Sequence, residues 1–326
     1  MTVNHYLREL YGLPVFDFPG TDGTEGREAG KPEAEELPDP ASVAWRISVG
    51  SYEANESWEE AFARFTAAVD TAGVRALIVG SWTDAYESGS ESIVAALVAA
   101  RDRLPGLRAL FIGDMTYLDC EISWINQSRL SPLLEAYPGL EEFGARGGTG
   151  LDFLPVRHAR LRSLTVETGG LDAGVVRGIG ASDLPALERL DLWLGSAEYG
   201  ASTTVSDLGP ILAGDRLPRL RHLALRNSVI QDEIAVALSG APVVARLESL
   251  DLSMGTLGDE GAEALLGGRP LTHLKKLDLH HHYLSEAMRE RLAATLGAAG
   301  VEVDLSGAEV PDSWDDREHR YVAVAE

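Results

Sequence analysis

The 326-residue sequence carries 28 basic and 51 acidic side chains, which gives a formal net charge of −23. This excess of acid excludes the basic surface with which proteins neutralise phosphates, so we expect neither nucleic acid nor an anionic membrane as a partner. The single cysteine, Cys120, excludes an intrachain disulfide. The N-terminal residues lack the apolar run of a signal peptide, and no stretch reaches about 18 apolar residues. We therefore expect a cytoplasmic protein.

Residues 1–40 are predicted to comprise a lead-in and an acidic flexible linker. The lead-in, residues 1–19, contains the aromatic segment YGLPVFDFP, which we expect to pack on the folded body. Residues 21–40 hold seven acids and two bases together with glycine and proline. A segment of that composition buries too little apolar surface to order itself.

Residues 41–106 are predicted to form β/α repeats that cap the N-terminal end of the fold. Apolar residues alternate from Val43 to Val49, which predicts a strand. Ser57 and Glu60 have the spacing of a capping box, which predicts the start of a helix. A strand over 74–79 and a helix over 92–103 are predicted to follow.

Residues 107–305 contain a repeated six-residue frame that begins with leucine. Its clearest copies read Leu-x-x-Leu-x-Leu. The two copies most alike, LESLDL and LKKLDL, begin 27 residues apart. A period of 20–50 residues indicates a solenoid, and extra residues at 114–124 and 196–207 are expected in loops. The seven frames begin at Leu107, Leu140, Leu161, Leu187, Leu220, Leu247 and Leu274, and a final strand is predicted at 301–305.

Residues 306–326 are predicted to be an acidic C-terminal cap or tail. Residues 307–326 hold six acids and two bases and end in the alternating sequence RYVAVAE. An open sheet edge invites aggregation, so we expect this alternating segment to close the last edge of the sheet.

The motif LGDEGAEALL at Leu257–Leu266, with the leucine frames, resembles the leucine-rich-repeat family and its ribonuclease-inhibitor-like class. The resemblance implies an α/β solenoid, or horseshoe, with a concave parallel sheet and convex helices, in about eight to nine repeats plus terminal caps. The lead-in GLPVFDF is similar to that of stand-alone bacterial repeat proteins, which implies a subunit of a bacterial modification or biosynthetic complex. The family's usual loop asparagine is replaced at Gly195, Ser228, Gly255 and His282, so the loops are expected to be less regular.

The candidate binding surface is the concave face of the C-terminal half. Side chains alternate along a strand, so the residues beside the buried leucines point to that face. Trp and Arg are the residues most often found as interface hot spots, which favours a protein- or peptide-binding role with Trp193 exposed. Alternatively, Trp193 covers Leu194, and the aspartates are solvated and balanced by Arg189 and Lys276. The predicted partner-binding residues are Arg189, Asp191, Trp193, His222, Arg226, Asp251, Lys276, Asp278 and His280.

The sequence contains no comparable signal for catalysis, so we predict a non-enzymatic scaffold without cofactor or metal. We also expect the protein to be a monomer. The glycine-rich segment 144–150 lacks the ending of a phosphate-binding loop, and no nucleophile elbow is found. The rival hypothesis is a metal-assisted hydrolase that uses Asp251, Asp278 and His280. For the scaffold, Leu250→Asp or Leu277→Asp should unfold part of the array, whereas Arg226→Ala should leave stability nearly intact.

Overall fold

A computed structural model describes residues 3–20, 37–52, 54–314 and 317–326. The predicted flexible linker falls largely on residues 21–36, outside this description.

A sheet of twelve strands runs through the described part of the chain, and its strands follow one another in sequence order. Near the C-terminus, the strands Asp312–Trp314 and Arg317–His319 form a separate antiparallel pair. Within the twelve-stranded sheet, every neighbouring pair is parallel except β1 and β2, which form an antiparallel hairpin. The strands are β1 (Glu9–Leu10), β2 (Leu13–Asp17), β3 (Ala44–Ile47), β4 (Ala76–Val79), β5 (Ala109–Ile112), β6 (Glu142–Arg146), β7 (Ser163–Glu167), β8 (Arg189–Gly195), β9 (His222–Ser228), β10 (Ser249–Asp251), β11 (Lys276–Asp278) and β12 (Glu302–Asp304). Each predicted leucine frame holds one strand, from β5 to β11. The predicted α/β solenoid is confirmed, because each unit pairs only with its neighbours.

Helices return the chain to the start of the next strand in most repeats. The capping box of the first helix is formed, since the Ser57 hydroxyl accepts from the Glu60 amide at 3.2 Å and the Glu60 carboxylate accepts from the Ser57 amide at 2.8 Å. The helix predicted over 92–103 ends at residue 99 and is followed by a 3₁₀ turn. The α-helices in the described residues are α1 (Trp58–Ala68), α2 (Glu91–Ala99), α3 (Ser131–Ala136), α4 (Ala173–Ala181), α5 (Val205–Ala213), α6 (Gln231–Gly240), α7 (Asp259–Gly267) and α8 (Glu286–Leu292).

The core is one continuous apolar layer between the sheet and the helices. It includes the leucines of every frame, and Leu250 and Leu277 are fully buried in it. Burial of each such side chain stabilises the fold by about 1.5–3 kcal/mol. The repeat leucines therefore have the structural role that their spacing predicts.

Polar side chains other than asparagine join the backbones of successive loops. The Nδ1 atom of His282 accepts from the Leu284 amide at 3.1 Å, so its Nε2–H donates to the Leu305 carbonyl, also at 3.1 Å. Two glutamine side chains donate to strand carbonyls instead: Gln127 to Arg146, the last residue of β6, and Gln231 to Leu225 within β9. The loops lack a regular asparagine ladder, but buried polar groups satisfy their backbones individually.

The N-terminal hairpin covers the concave side of the first repeats. Its turn lies at Tyr11 and Gly12, both in the left-handed region with φ of 60° and 68°. The carboxylate of Asp114 anchors the segment before the hairpin, because it accepts from the Leu7 amide at 3.0 Å and pairs with Arg46 at 2.8 Å. Leu10 packs with the small and apolar concave residues Ala44, Ala76, Ile78, Ala109 and Phe111.

The C-terminal tail, residues 320–326, does not close the last sheet edge as predicted. It runs back along the loops at the carboxyl ends of the strands, which we call the strand-exit edge. The Ala323 amide donates to the Met254 carbonyl at 2.8 Å, and the Val324 amide donates to the Asn227 side chain at 2.9 Å. Ser123 donates to the Ala325 carbonyl. The tail takes this path because Val322 and Val324 become buried against the strand-exit edge.

Candidate binding site on the concave face

The register of strands β8–β11 aligns the predicted site residues in two rows. Arg189, His222, Ser249 and Lys276 lie opposite one another on successive strands, and we call them the donor row. Two residues further along each strand come Asp191, Ala224, Asp251 and Asp278, which we call the acid row. Neighbouring strands lie about 4.8 Å apart, so adjacent side chains of one row can contact the same ligand.

The two rows surround a depression of about 130 Å³. Ser249 is a part of its wall that we had not predicted as a site residue, and its hydroxyl lies 2.8 Å from Nδ1 of His222. The predicted residues that line it are Arg189, Asp191, His222, Asp251, Lys276 and Asp278. The structure thus brings together six of the nine predicted residues.

The chain's own termini limit the open part of the concave face. At one end, the Tyr11 amide donates to Glu142 at 3.1 Å and its hydroxyl donates to Glu141 at 3.1 Å, so the hairpin turn reaches β6. Along the strand-exit edge lies the C-terminal tail. The part of the concave face between them, on strands β7–β12, is called the concave window below.

Arg226 links the acid row to the strand-exit edge. Its guanidinium makes two bonds to the Asp191 carboxylate, at 3.0 and 2.7 Å, and lies 3.6 Å from Asp251. Burial raises the pKa of Asp191 to about 6, although Arg226 opposes this rise. Burial lowers the pKa of Arg226, but Asp191 and Asp251 outweigh it and the pKa is raised overall. The balancing cation for Asp191 is therefore Arg226, not Arg189 as the sequence suggested.

Asp278 is held between two cations. Its carboxylate lies 2.9 Å from Nζ of Lys276 and 2.7 Å from Nδ1 of His280. Burial works to raise the pKa of Asp278, but the hydrogen bonds from His280 and Lys276 outweigh it and hold the pKa well below its usual range. The same hydrogen bond raises the pKa of His280. Lys276 thus balances an aspartate as predicted.

Arg189 is the uncommitted cation of the window. It is exposed, and it makes no ion pair within the described ranges. Burial, with the nearby charge of Arg189 as a second cause, lowers the pKa of His222. At neutral pH the donor row therefore presents one free guanidinium beside an uncharged imidazole.

Trp193 is not exposed on the concave face, which contradicts our expectation. Only 9% of the residue is accessible, and it does not turn toward the helices either. It packs against residues from both termini and two loops: Val3, Ile122, Met254, Ala323 and Val324. The only sequence signal for this burial is the alternation of Val322 and Val324 in the tail, and it does not say where the tail packs.

Comparison with known proteins agrees with the repeat geometry. A family profile described as a leucine-rich repeat matches residues 247–266. The chain has the fold of a leucine-rich-repeat solenoid. It is similar to a crystal structure of a protein from Bacteroides fragilis, with 29% sequence identity and a TM-score of 0.71 over 78% of this chain and 71% of that chain. A search of curated proteins finds no match.

One group of potential metal ligands is found in the described residues. It comprises Asp278, His280 and Asp304. It differs from the set proposed for a hydrolase, because Asp251 is not part of it. A cation there would have to displace Lys276 and His280 from Asp278, and the Ser306 hydroxyl, which donates to Asp304 at 2.7 Å. The geometry does not favour the metal-assisted hydrolase.

Two further sequence features have structural roles. Cys120 is buried, and burial raises the pKa of its thiol to about 11, so the unreactive protonated form prevails at neutral pH. In the glycine-rich segment, Gly144 and Arg146 belong to β6, and Arg146 pairs with Glu167 at 2.8 Å.

No helix in the described ranges has the length and apolar character needed to cross a membrane.

Proposed function

We propose that this leucine-rich-repeat protein is a non-catalytic scaffold that binds a protein or an extended peptide in the concave window. The observation that carries the proposal is the alignment of the donor row and the acid row around one depression. The proposed contact residues are Arg189, Asp191, His222, Arg226, Asp251, Lys276, Asp278 and His280. Trp193 supports Arg226 from the buried side and does not itself contact the partner.

The spacing of the rows suits an extended chain that crosses the strands. Six strands, β7–β12, span about 24 Å at the usual separation of strands. An extended peptide covers this distance with about seven residues. Acidic ligand groups would pair with Arg189, whereas basic groups would lie over the acid row near Asp251.

The charges of the window support binding rather than catalysis. Arg226 neutralises Asp191, and Lys276 with His280 neutralises Asp278. A general base needs a pKa near the working pH and a free lone pair directed at a substrate. The hydrogen bonds of Asp278 occupy that capacity, so its role is to orient its neighbours.

The proposal includes the cellular setting expected from the sequence. We place the protein in the bacterial cytoplasm, as a monomeric subunit of a modification or biosynthetic complex. The helix that follows β10 and the LGDEGAEALL motif support assignment to the ribonuclease-inhibitor-like class. The net charge of −23 supports the expectation that nucleic acid is not a partner.

Selection of peptides from a random display library on the immobilised full chain tests the proposed site. Peptides selected on the native sequence should bind Arg189→Glu/Lys276→Glu at least about tenfold more weakly, because the hot-spot cations are inverted. The charge-matched control is Arg160→Glu/Arg216→Glu, whose two arginines are exposed outside the window. Equal affinity for both double variants would contradict the proposed site.

A further inference from the structure

A second surface lies on the strand-exit edge of the first repeats, away from the concave window. The loops that follow β3, β4 and β5 span residues 48–57, 80–90 and 113–128. Together they contain seven acids and no lysine, arginine or histidine. The same loops expose large aromatic side chains, a combination that the binding role of the concave window does not require.

Three aromatic residues are exposed on these adjoining loops, and we call Tyr52, Tyr86 and Trp124 together the aromatic patch. They are 63%, 39% and 54% exposed. The rings of Tyr52 and Tyr86 have centroids 6.0 Å apart and are tilted by 38°. Exposed apolar groups that cluster on a monomer commonly mark an interaction site.

Backbone hydrogen bonds hold the loops of the aromatic patch together. The Asp84 amide donates to the Ser51 carbonyl at 3.0 Å, which joins the first loop to the second. The Asn126 amide donates to the Ala85 carbonyl at 2.8 Å, which joins the second loop to the third. These bonds hold the three loops side by side, so a partner would not have to bring the loops together.

Some carboxylates of these loops are paired and others are not, and Asp114 pairs with both Arg46 and Arg146. Glu56 forms an ion pair with Arg64 at 2.6 Å. Asp84, Glu87 and Glu121 make no ion pair within the described ranges. The charges of Glu87 and then Asp84 raise the pKa of the Tyr86 hydroxyl, so these carboxylates act on the exposed ring.

We propose that the aromatic patch and its carboxylates bind an arginine-containing basic segment of a partner protein. A guanidinium stacks on the faces of tyrosine and tryptophan and also pairs with carboxylates through two parallel hydrogen bonds. Lysine offers a point charge without that planar fork. An apolar partner would bury Asp84, Glu87 and Glu121 without cations, which is costly.

The test measures binding of three labelled synthetic peptides to the full chain by fluorescence anisotropy at several salt concentrations. The peptides are four repeats of Gly-Arg-Ser, Gly-Lys-Ser or Gly-Gln-Ser. We expect the arginine peptide to bind most tightly and the glutamine peptide not to bind. Tyr52→Ala/Tyr86→Ala should weaken the arginine peptide about tenfold, whereas Tyr52→Phe/Tyr86→Phe, which keeps the ring faces, should bind nearly as the native sequence does.

Charge-matched variants separate this site from general attraction to an acidic protein. Asp84→Asn/Glu87→Gln should weaken binding of the arginine peptide and reduce its salt dependence. Glu286→Gln/Glu290→Gln changes the net charge equally on the exposed face of α8 and should change binding little. Equal weakening by both charge variants, full binding by the Tyr→Ala pair, or binding of the glutamine peptide would each overturn the proposal. Arg189→Glu/Lys276→Glu should leave this binding intact, so the two proposals fail independently.

Discussion

The guanidinium of Arg226 lies 5.0 Å from the centre of the Trp193 ring. The same guanidinium forms a two-bond ion pair with Asp191. Arg226→Ala leaves that carboxylate without its cation and uncovers the tryptophan. We expect the free energy of unfolding to fall by about 3 kcal/mol, measured by urea denaturation. This replaces the sequence-based expectation that the substitution is nearly neutral.

The loss of stability caused by Arg226→Ala should depend on pH. The pKa of Asp191 is already about 6, and removal of Arg226 takes away the charge that opposes its rise. Asp191 can then bind a proton, so the loss should be smaller at pH 5 than at pH 8. Asp191→Ala/Arg226→Ala, which removes both charges, should be less destabilised at pH 8 than Arg226→Ala alone. A loss independent of pH would contradict this account.

The C-terminal tail should protect Trp193 from solvent. Val324→Asp places a charge in the apolar contact with Trp193, so we expect the tail to detach and stability to fall by about 2 kcal/mol. Acrylamide quenching of tryptophan fluorescence should increase, and this increase should vanish in a Trp193→Phe background. Val310, which is 82% exposed, provides the matched control, and Val310→Asp should leave quenching unchanged.

The pKa values of His280 and His282 should be shifted in opposite directions from that of a free imidazole. The hydrogen bond to Asp278 raises the pKa of His280 above 6.5, whereas burial lowers the pKa of His282 below it. Imidazole signals followed by NMR should show these two midpoints on either side of 6.5. Asp278→Asn should lower the midpoint of His280 and leave that of His282 unchanged. The same direction of shift for both residues would contradict the described contacts.

The two histidines also give stability contributions of opposite pH dependence. The contact of His280 with Asp278 is partly exposed to solvent, so it contributes only about 0.5 kcal/mol. That contribution is present below pH 6.5 and is lost as pH rises through the raised pKa. The contribution of the neutral His282 ring is present above pH 6.5 and is lost as pH falls through the lowered pKa. Denaturation of His280→Gln and His282→Gln across this range should show opposite trends relative to the native sequence.

The repeat leucines should tolerate no charge. Leu250 is fully buried in the core, so Leu250→Asp should lower the free energy of unfolding by about 4 kcal/mol, measured by urea denaturation. Ser249 is its neighbour on the same strand but faces the concave window, so Ser249→Asp should cost under about 1 kcal/mol. Similar losses for the two substitutions would contradict the assignment of strand faces.

Local periodicity determined the repeat architecture of this protein. The spacing of the frames predicts strands β5–β12, and the two-residue alternation of a strand assigns Leu250 to the core and Asp251 to the concave face. Both inferences depend on residues close together in sequence. The register of Asp251 beside Asp278 follows because the two frames pair in the same phase.

Tertiary structure alone decided which concave residues remain open. Trp193 has the position of an exposed residue in its repeat, yet Val324 covers it from the far end of the chain. Likewise, Arg226 rather than Arg189 pairs with Asp191, although each arginine occupies the position that periodicity predicts. Repeat spacing specifies how neighbouring strands align, whereas contacts between the array and its folded-back termini depend on the path of the chain in space.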